Sequence, residues 1–232
     1  VQQDRPNYIL WGVLGVLGLG LIALVVFNIM QPKDLSKKAW NPAMTRGDVE
    51  AGNSFVEYTD VTCSHCAEFH NAAEKGDFEK GYIKSGKVHQ ELRVVPLLQE
   101  KRQNAVRSAE SVYCAADQNK FWPYYNAVVD HFTTEYFDKN IATTPTSPDM
   151  PKLEDSFYID MAKKTGLDSE KFGTCLKENQ QLDTVKQAVA KASQTLPYGS
   201  GVPYFKINSF ESSGFAGEYK DVQRMMRAGG VQ

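Results

Sequence analysis

Cys63 and Cys66 are separated by Ser64 and His65 in the stretch Asp-Val-Thr-Cys-Ser-His-Cys, and His70 follows shortly after. A Cys-x-x-Cys spacing supports two chemistries: reversible disulfide formation and ligation of a soft metal. Two inert, packed thiols are the third reading. On a helix, positions i and i+3 share one face, close enough for a disulfide across a single turn. A cysteine at the first turn meets unpaired N–H groups and the positive end of the helix dipole, and both favour an anion. A thiolate is such an anion, so Cys63 is expected to be the reactive member, with a protonated His65 acting in the same direction. Stabilising that thiolate stabilises the reduced pair and makes its disulfide a stronger oxidant. The metal reading would draw on Cys63, His65, Cys66 and His70. It lacks a second Cys-x-x-Cys or a His pair at zinc-finger spacing, and adjacent His65 and Cys66 point about 100° apart on a helix. The expectation is no metal and no cofactor.

The elements around the pair read as an α/β frame. Ser54–Thr59 is a strand by its aromatic and β-branched content. A helix follows from Cys63, with Cys66, Phe69, His70 and Ala73 at helical spacing and Gly76 as its stop. Lys87–Val95 is a second strand, halted by Pro96. The middle of the chain is helical: Glu100–Ala116, Phe121–Phe132, Glu154–Thr165, Ser169–Glu178 and Gln180–Gln194. A polar, proline-bearing surface loop, Thr133–Lys152, interrupts these helices. Trp122, Tyr124 and Tyr125 read as core, His89 as a strand surface residue and His131 as a helix-end residue. Strands at Pro203–Asn208 and Phe210–Phe215 and a helix at Glu218–Ala228 close the chain, so a helical block interrupts an α/β frame.

Upstream, Tyr8–Met30 holds no charged residue over 23 positions. As a helix it is about 34 Å long, enough to cross a hydrocarbon core of about 30 Å. Tyr8 and Trp11 sit where an interfacial aromatic belt places them. The expected organisation is a tail over 1–7, a single-pass membrane anchor over 8–30, a linker over 31–50, the α/β domain over 51–98 and 196–232, and a helical insertion over 99–195. Arg5 before the span and Lys33, Lys37 and Lys38 after it would, read alone, put the C-terminal side in the cytoplasm. Orientation is therefore left to the chemistry. The net charge is −2, from 26 basic and 28 acidic residues, and no long basic run marks a nucleic-acid partner.

Three features together resemble the DsbA family of thiol-disulfide oxidoreductases: FVEYTDVTCSHC, a helical insertion holding CAADQNKFWPYYNAV and LDSEKFGTCL, and GVPYFKIN. The likeness covers roughly residues 50 to 228. It implies a thioredoxin-like fold with an inserted all-helical domain, here preceded by one N-terminal transmembrane helix, working outside the cytoplasm. It implies Cys63 as the nucleophile that forms mixed disulfides, Cys66 as its buried partner, and Val202–Pro203 as the cis-proline pair against which an extended substrate chain adds. It implies a buried acid at Glu57, on a central strand beneath the pair, that moves protons to and from Cys66; an exposed edge-strand glutamate is the alternative. Some Gram-positive members join helices as a Cys114–Cys175 disulfide would here; two buried thiols are the alternative. The family's Pro-His dipeptide is Ser64-His65 in this chain. The expected partners are reduced secreted or cell-surface proteins, a membrane quinone-linked reoxidising protein of DsbB or VKOR type, and membrane lipid at the anchor. A reductase or isomerase on the same scaffold is the rival enzyme. A metal-delivery or peptide-binding module without redox turnover is the rival of another class.

Overall fold

The computed structural model describes residues 40–215 and 217–232. Strand β2 (Ser54–Thr59) is buried at five of its six positions, because apolar clusters cover both faces of the sheet there: Val56 and Tyr58 join one, Phe55 the other. β3 (His89–Val94) alternates half-buried and buried residues, with Gln90, Leu92 and Val94 turned inward. β2 and β3 run parallel, in register from Ser54 opposite His89 to Thr59 opposite Val94. Parallel neighbours need a crossover, supplied by α1 (Ser64–Lys75) and a short π-helical turn (Glu79–Ile83). β4 (Tyr204–Ile207) lies antiparallel on the other edge of β2, and β5 (Phe210–Ser213) pairs back onto β4. The sheet order is β1-β3-β2-β4-β5.

The outermost strand, β1 (Thr45–Arg46), corrects one expectation. The linker assigned to 31–50 contains part of the fold: Pro42–Met44 form a 3-10 turn, Thr45–Arg46 pair antiparallel with β3, and Met44 is fully buried. A two-residue strand carries no periodicity, so composition alone reads it as linker.

Five helices lie between β3 and β4: α2 (Ala105–Ala116), α3 (Phe121–Glu135), α4 (Asp155–Lys164), α5 (Ser169–Lys177) and α6 (Leu182–Thr195). α3 runs further than its apolar pattern. The helix continues through polar Thr133 and Thr134, whose hydroxyls are satisfied within it: Thr133 donates to the Val129 carbonyl at 2.9 Å and Thr134 to the Asp130 carbonyl at 3.1 Å. The helical block does not have a core of its own. Val56, Tyr58, Leu92 and Val94 of the sheet join Val112, Tyr113, Tyr124 and Phe132 in one apolar cluster, and the Tyr113 hydroxyl donates to the Val94 carbonyl at 3.0 Å. Cys114 of α2 and Cys175 of α5 are disulfide-bonded, with Cα atoms 6.0 Å apart.

The other face of the sheet is covered by α1 and by α7 (Tyr219–Ala228). Phe55 and Phe205 pack there with Phe69, Ala73, Val222 and Met226. The stop of α1 is Gly76, where any Cβ would collide with the Tyr219 ring, so glycine permits the close approach of the two helices. The anchor expected over 8–30 lies outside the described residues. Among the described residues no helix is long and apolar enough to cross a membrane.

Candidate redox site

Cys63 is the N-cap of α1 rather than its first helical residue. Its backbone is extended (φ −94°, ψ 117°), and its sulfur accepts the Cys66 N–H at 3.3 Å. An N-cap side chain is placed to satisfy the orphan donors of the first turn, here with sulfur as the acceptor. Cys63 and Cys66 are both free thiols, 5% and 1% exposed. The Cys63 thiol also donates to the Val202 carbonyl at 3.5 Å, and the Val202–Pro203 bond is cis. The segment 139 residues away in sequence is therefore against the cysteine pair. Burial, and then the adjacent Cys63 sulfur, push the Cys66 thiol well above its ordinary range. His65 turns outward instead and pairs with Glu68 at 2.9 Å.

Glu57 is 2% exposed, on the central strand, opposite Leu92 of β3 and Phe205 of β4. It shares the face of Phe55, which packs beneath α1. Nearby, the buried Tyr125 hydroxyl lies 3.3 Å from the Thr59 hydroxyl. Burial raises that phenol well above its usual range, with further contributions from Glu57, Cys66 and Cys63. Acid, phenol and thiols thus share one low-dielectric neighbourhood. His70 stands edge-on to Tyr125 at 5.1 Å, and burial, with help from Arg46, lowers it to about 3. It is a neutral core ring, on a different side of α1 from His65. Among the described residues, no three His, Cys, Asp or Glu side chains converge as a metal site would require.

Sequence reasoning missed Asp60. It is 1% exposed, its Oδ1 accepts both the N–H and the hydroxyl of Thr62 at 2.8 and 2.7 Å, and its Oδ2 accepts the Leu98 N–H at 3.0 Å. Burial raises its pKa, and these bonds oppose the rise. Asp60 ties the turn that delivers Cys63 to the loop after β3. The Asp-x-Thr pattern of a side-chain-closed turn was the available signal. Beside the turn lies a cleft of about 390 Å³, lined by Cys63, His65, Leu98, Arg102, Thr143 and Val202 among others. The Ser64 hydroxyl donates to the Thr143 carbonyl at 3.3 Å, which brings the polar loop after α3 to the rim.

The thioredoxin family model matches residues 40–224. The chain belongs to the thioredoxin family. Among solved structures, this thioredoxin-family chain is similar to BdbD from Bacillus subtilis in its oxidised form, with TM-score 0.62 and 16% identity over 80% of this chain and 91% of that one. It is similar to Wolbachia pipientis alpha-DsbA1, with TM-score 0.61 and 19% identity over 81% and 90% of the two chains. Chlamydia trachomatis DsbA gives TM-score 0.61 and 13% identity over 81% and 89%. Comparison with curated proteins finds no match. What is shared is the DsbA-type fold; in this chain the helical block enters the thioredoxin-like sheet between β3 and β4, Cys63 and Cys66 stand at the start of α1, and Val202–Pro203 precede β4.

Proposed function

We propose that the protein is a thiol-disulfide oxidoreductase that introduces disulfide bonds into secreted or cell-surface proteins. One observation carries the reading: Cys63 caps α1 and lines an open cleft, while Cys66 is sealed beneath it. In the oxidised enzyme a substrate thiolate attacks Cys63 Sγ. A substrate–Cys63 bond forms, the Cys63–Cys66 bond breaks, and Cys66 leaves as a thiolate that takes up a proton. A second substrate thiolate then attacks the substrate sulfur of the mixed disulfide and releases Cys63. The substrate loses two electrons, and the enzyme, now a dithiol, holds them. Glu57 is the buried acid that supplies and recovers the Cys66 proton. The Val202 backbone, against the Cys63 sulfur, is where an extended substrate pairs by strand addition.

The apolar span over 8–30 anchors the domain to the membrane, with the catalytic part on the extracytoplasmic side, where disulfides persist. A quinone-linked membrane protein, of DsbB or VKOR type, removes the two electrons and restores the disulfide. The exchange reading is tested by mixing the oxidised protein with a reduced, unfolded protein substrate. Substrate disulfides should appear as enzyme disulfide is lost, one for one; binding without any thiol loss would favour a peptide-binding module. In intact cells treated first with a membrane-impermeant reductant, a membrane-impermeant thiol reagent should reach Cys63, and protection from it until lysis would overturn the orientation.

A further inference from the structure

The cleft beside Cys63 carries one sign of charge. His65, Lys101 and Arg102 line it, and no acidic side chain does so among the described residues. These three basic side chains differ in what already occupies them. His65 faces Glu68 at 2.9 Å. Arg102 is held by Asp149 at 3.6 Å and by the Thr144 carbonyl at 3.3 Å. Lys101 is exposed, and its ammonium has no hydrogen-bond or ion-pair partner among the described residues. Its position is nonetheless fixed from below. The Lys101 N–H donates to the Leu98 carbonyl at 2.8 Å, and the Leu98 N–H donates to Asp60 Oδ2 at 3.0 Å. Asp60 also closes the turn leading to Cys63, through Thr62. The unoccupied charge and the reactive sulfur are therefore tied to one buried carboxylate.

We propose that Lys101 is a specificity residue that favours reduced, extended segments with an aspartate or glutamate next to the reacting cysteine. The proposal rests on the exchange reading and names the substrate class of that site. The carboxylate would pair with Lys101 while the substrate thiolate attacks Cys63 Sγ and Cys66 leaves. An exposed pair of this kind is screened by salt, so its contribution is modest and depends on ionic strength.

The test uses two dithiol peptides of equal length, with Asp or Lys beside the first cysteine. Each rate with the oxidised full-length protein is divided by that peptide's rate with a small-molecule disulfide, which removes differences in intrinsic thiol reactivity. The expected result is about a fivefold preference for the Asp peptide at low salt, shrinking as salt rises. Lys101→Met should abolish the preference and Lys101→Glu reverse it, while Lys177→Glu on α5, outside the cleft, should leave it intact. Equal normalised rates with both peptides, or a preference that survives Lys101→Glu, overturns the role of Lys101 alone. Oxidation of neither peptide overturns the exchange reading and this proposal together.

Discussion

The Cys63 sulfur lies 3.5 Å from the Val202 carbonyl oxygen, a contact that joins the cap of α1 to the segment entering β4. The same sulfur lines the cleft, whereas Cys66 is 1% exposed and its thiol is pushed well up by burial. Attack by an incoming thiolate should therefore fall on Cys63. Cys66→Ser should accumulate a mixed disulfide at Cys63, and Cys63→Ser should form none. In the reduced wild type, alkylation at neutral pH should modify Cys63 and spare Cys66. Mass spectrometry of peptides after alkylation reads both, and equal labelling of the two cysteines would reverse the assigned roles.

Glu57 carries the proton traffic of Cys66 in the proposed cycle. Replacing it with Gln keeps the shape and removes the titration. The Glu57→Gln enzyme should be slower in the step that releases or recovers the Cys66 proton, by about 100-fold, the lower end of the range of general acid–base effects. Its pH–rate profile should also lose a limb. Stopped-flow exchange across pH measures this, and an unchanged profile removes Glu57 from the mechanism.

The strand and helix around the pair were legible because each has a strong local signal. Ser54–Thr59 is a short stretch rich in aromatic and β-branched residues, and Gly76 ends α1. The cleft was not legible, since its walls come from segments far apart in sequence. Leu98, the Ala142–Pro145 stretch and Val202 converge only through the fold. β1 was read as linker because two residues cannot show a period. His70 was a candidate metal donor by residue type, and only packing against Tyr125 identifies it as core. Asp60 was passed over because a lone aspartate before a helix usually signals a solvated turn. Here the loop after β3 bonds to that turn through Leu98, and the carboxylate is buried among three donors.

His70 predicts an acid-sensitive fold. In the folded chain its ring is held neutral down to about 3, from an ordinary 6.5. The unfolded chain protonates the same ring below about 6.5, so stability is lost as pH falls from there toward about 3. Asp60, raised by burial, acts with the opposite sign over the carboxylate range. Between about pH 7 and about pH 4.5 the His70 contribution amounts to about 2–3 kcal/mol. His70→Phe should shrink the measured stability loss over that interval by a similar amount. Denaturant unfolding at the two pH values gives the answer, and parallel losses in both proteins would show that His70 is not the sensor.

The Cys114–Cys175 bond closes a loop with a sequence separation of 61. Replacing both cysteines with serine should lower stability by about 4 kcal/mol in the chain-entropy model. Exchange at Cys63 should persist below the new melting temperature, because the bond joins α2 and α5 and does not line the reactive cleft. Calorimetry with a parallel exchange assay separates the two effects.

The direction of electron flow is the central claim, and the reduction potential of the Cys63–Cys66 couple tests it most directly. Equilibration against glutathione buffers should give a potential less negative than about −200 mV, on the oxidising side, toward the roughly −120 mV that marks a strong disulfide donor. A value near about −270 mV, the range of a cytosolic reductant, would contradict an oxidase role and make the same site a reductase.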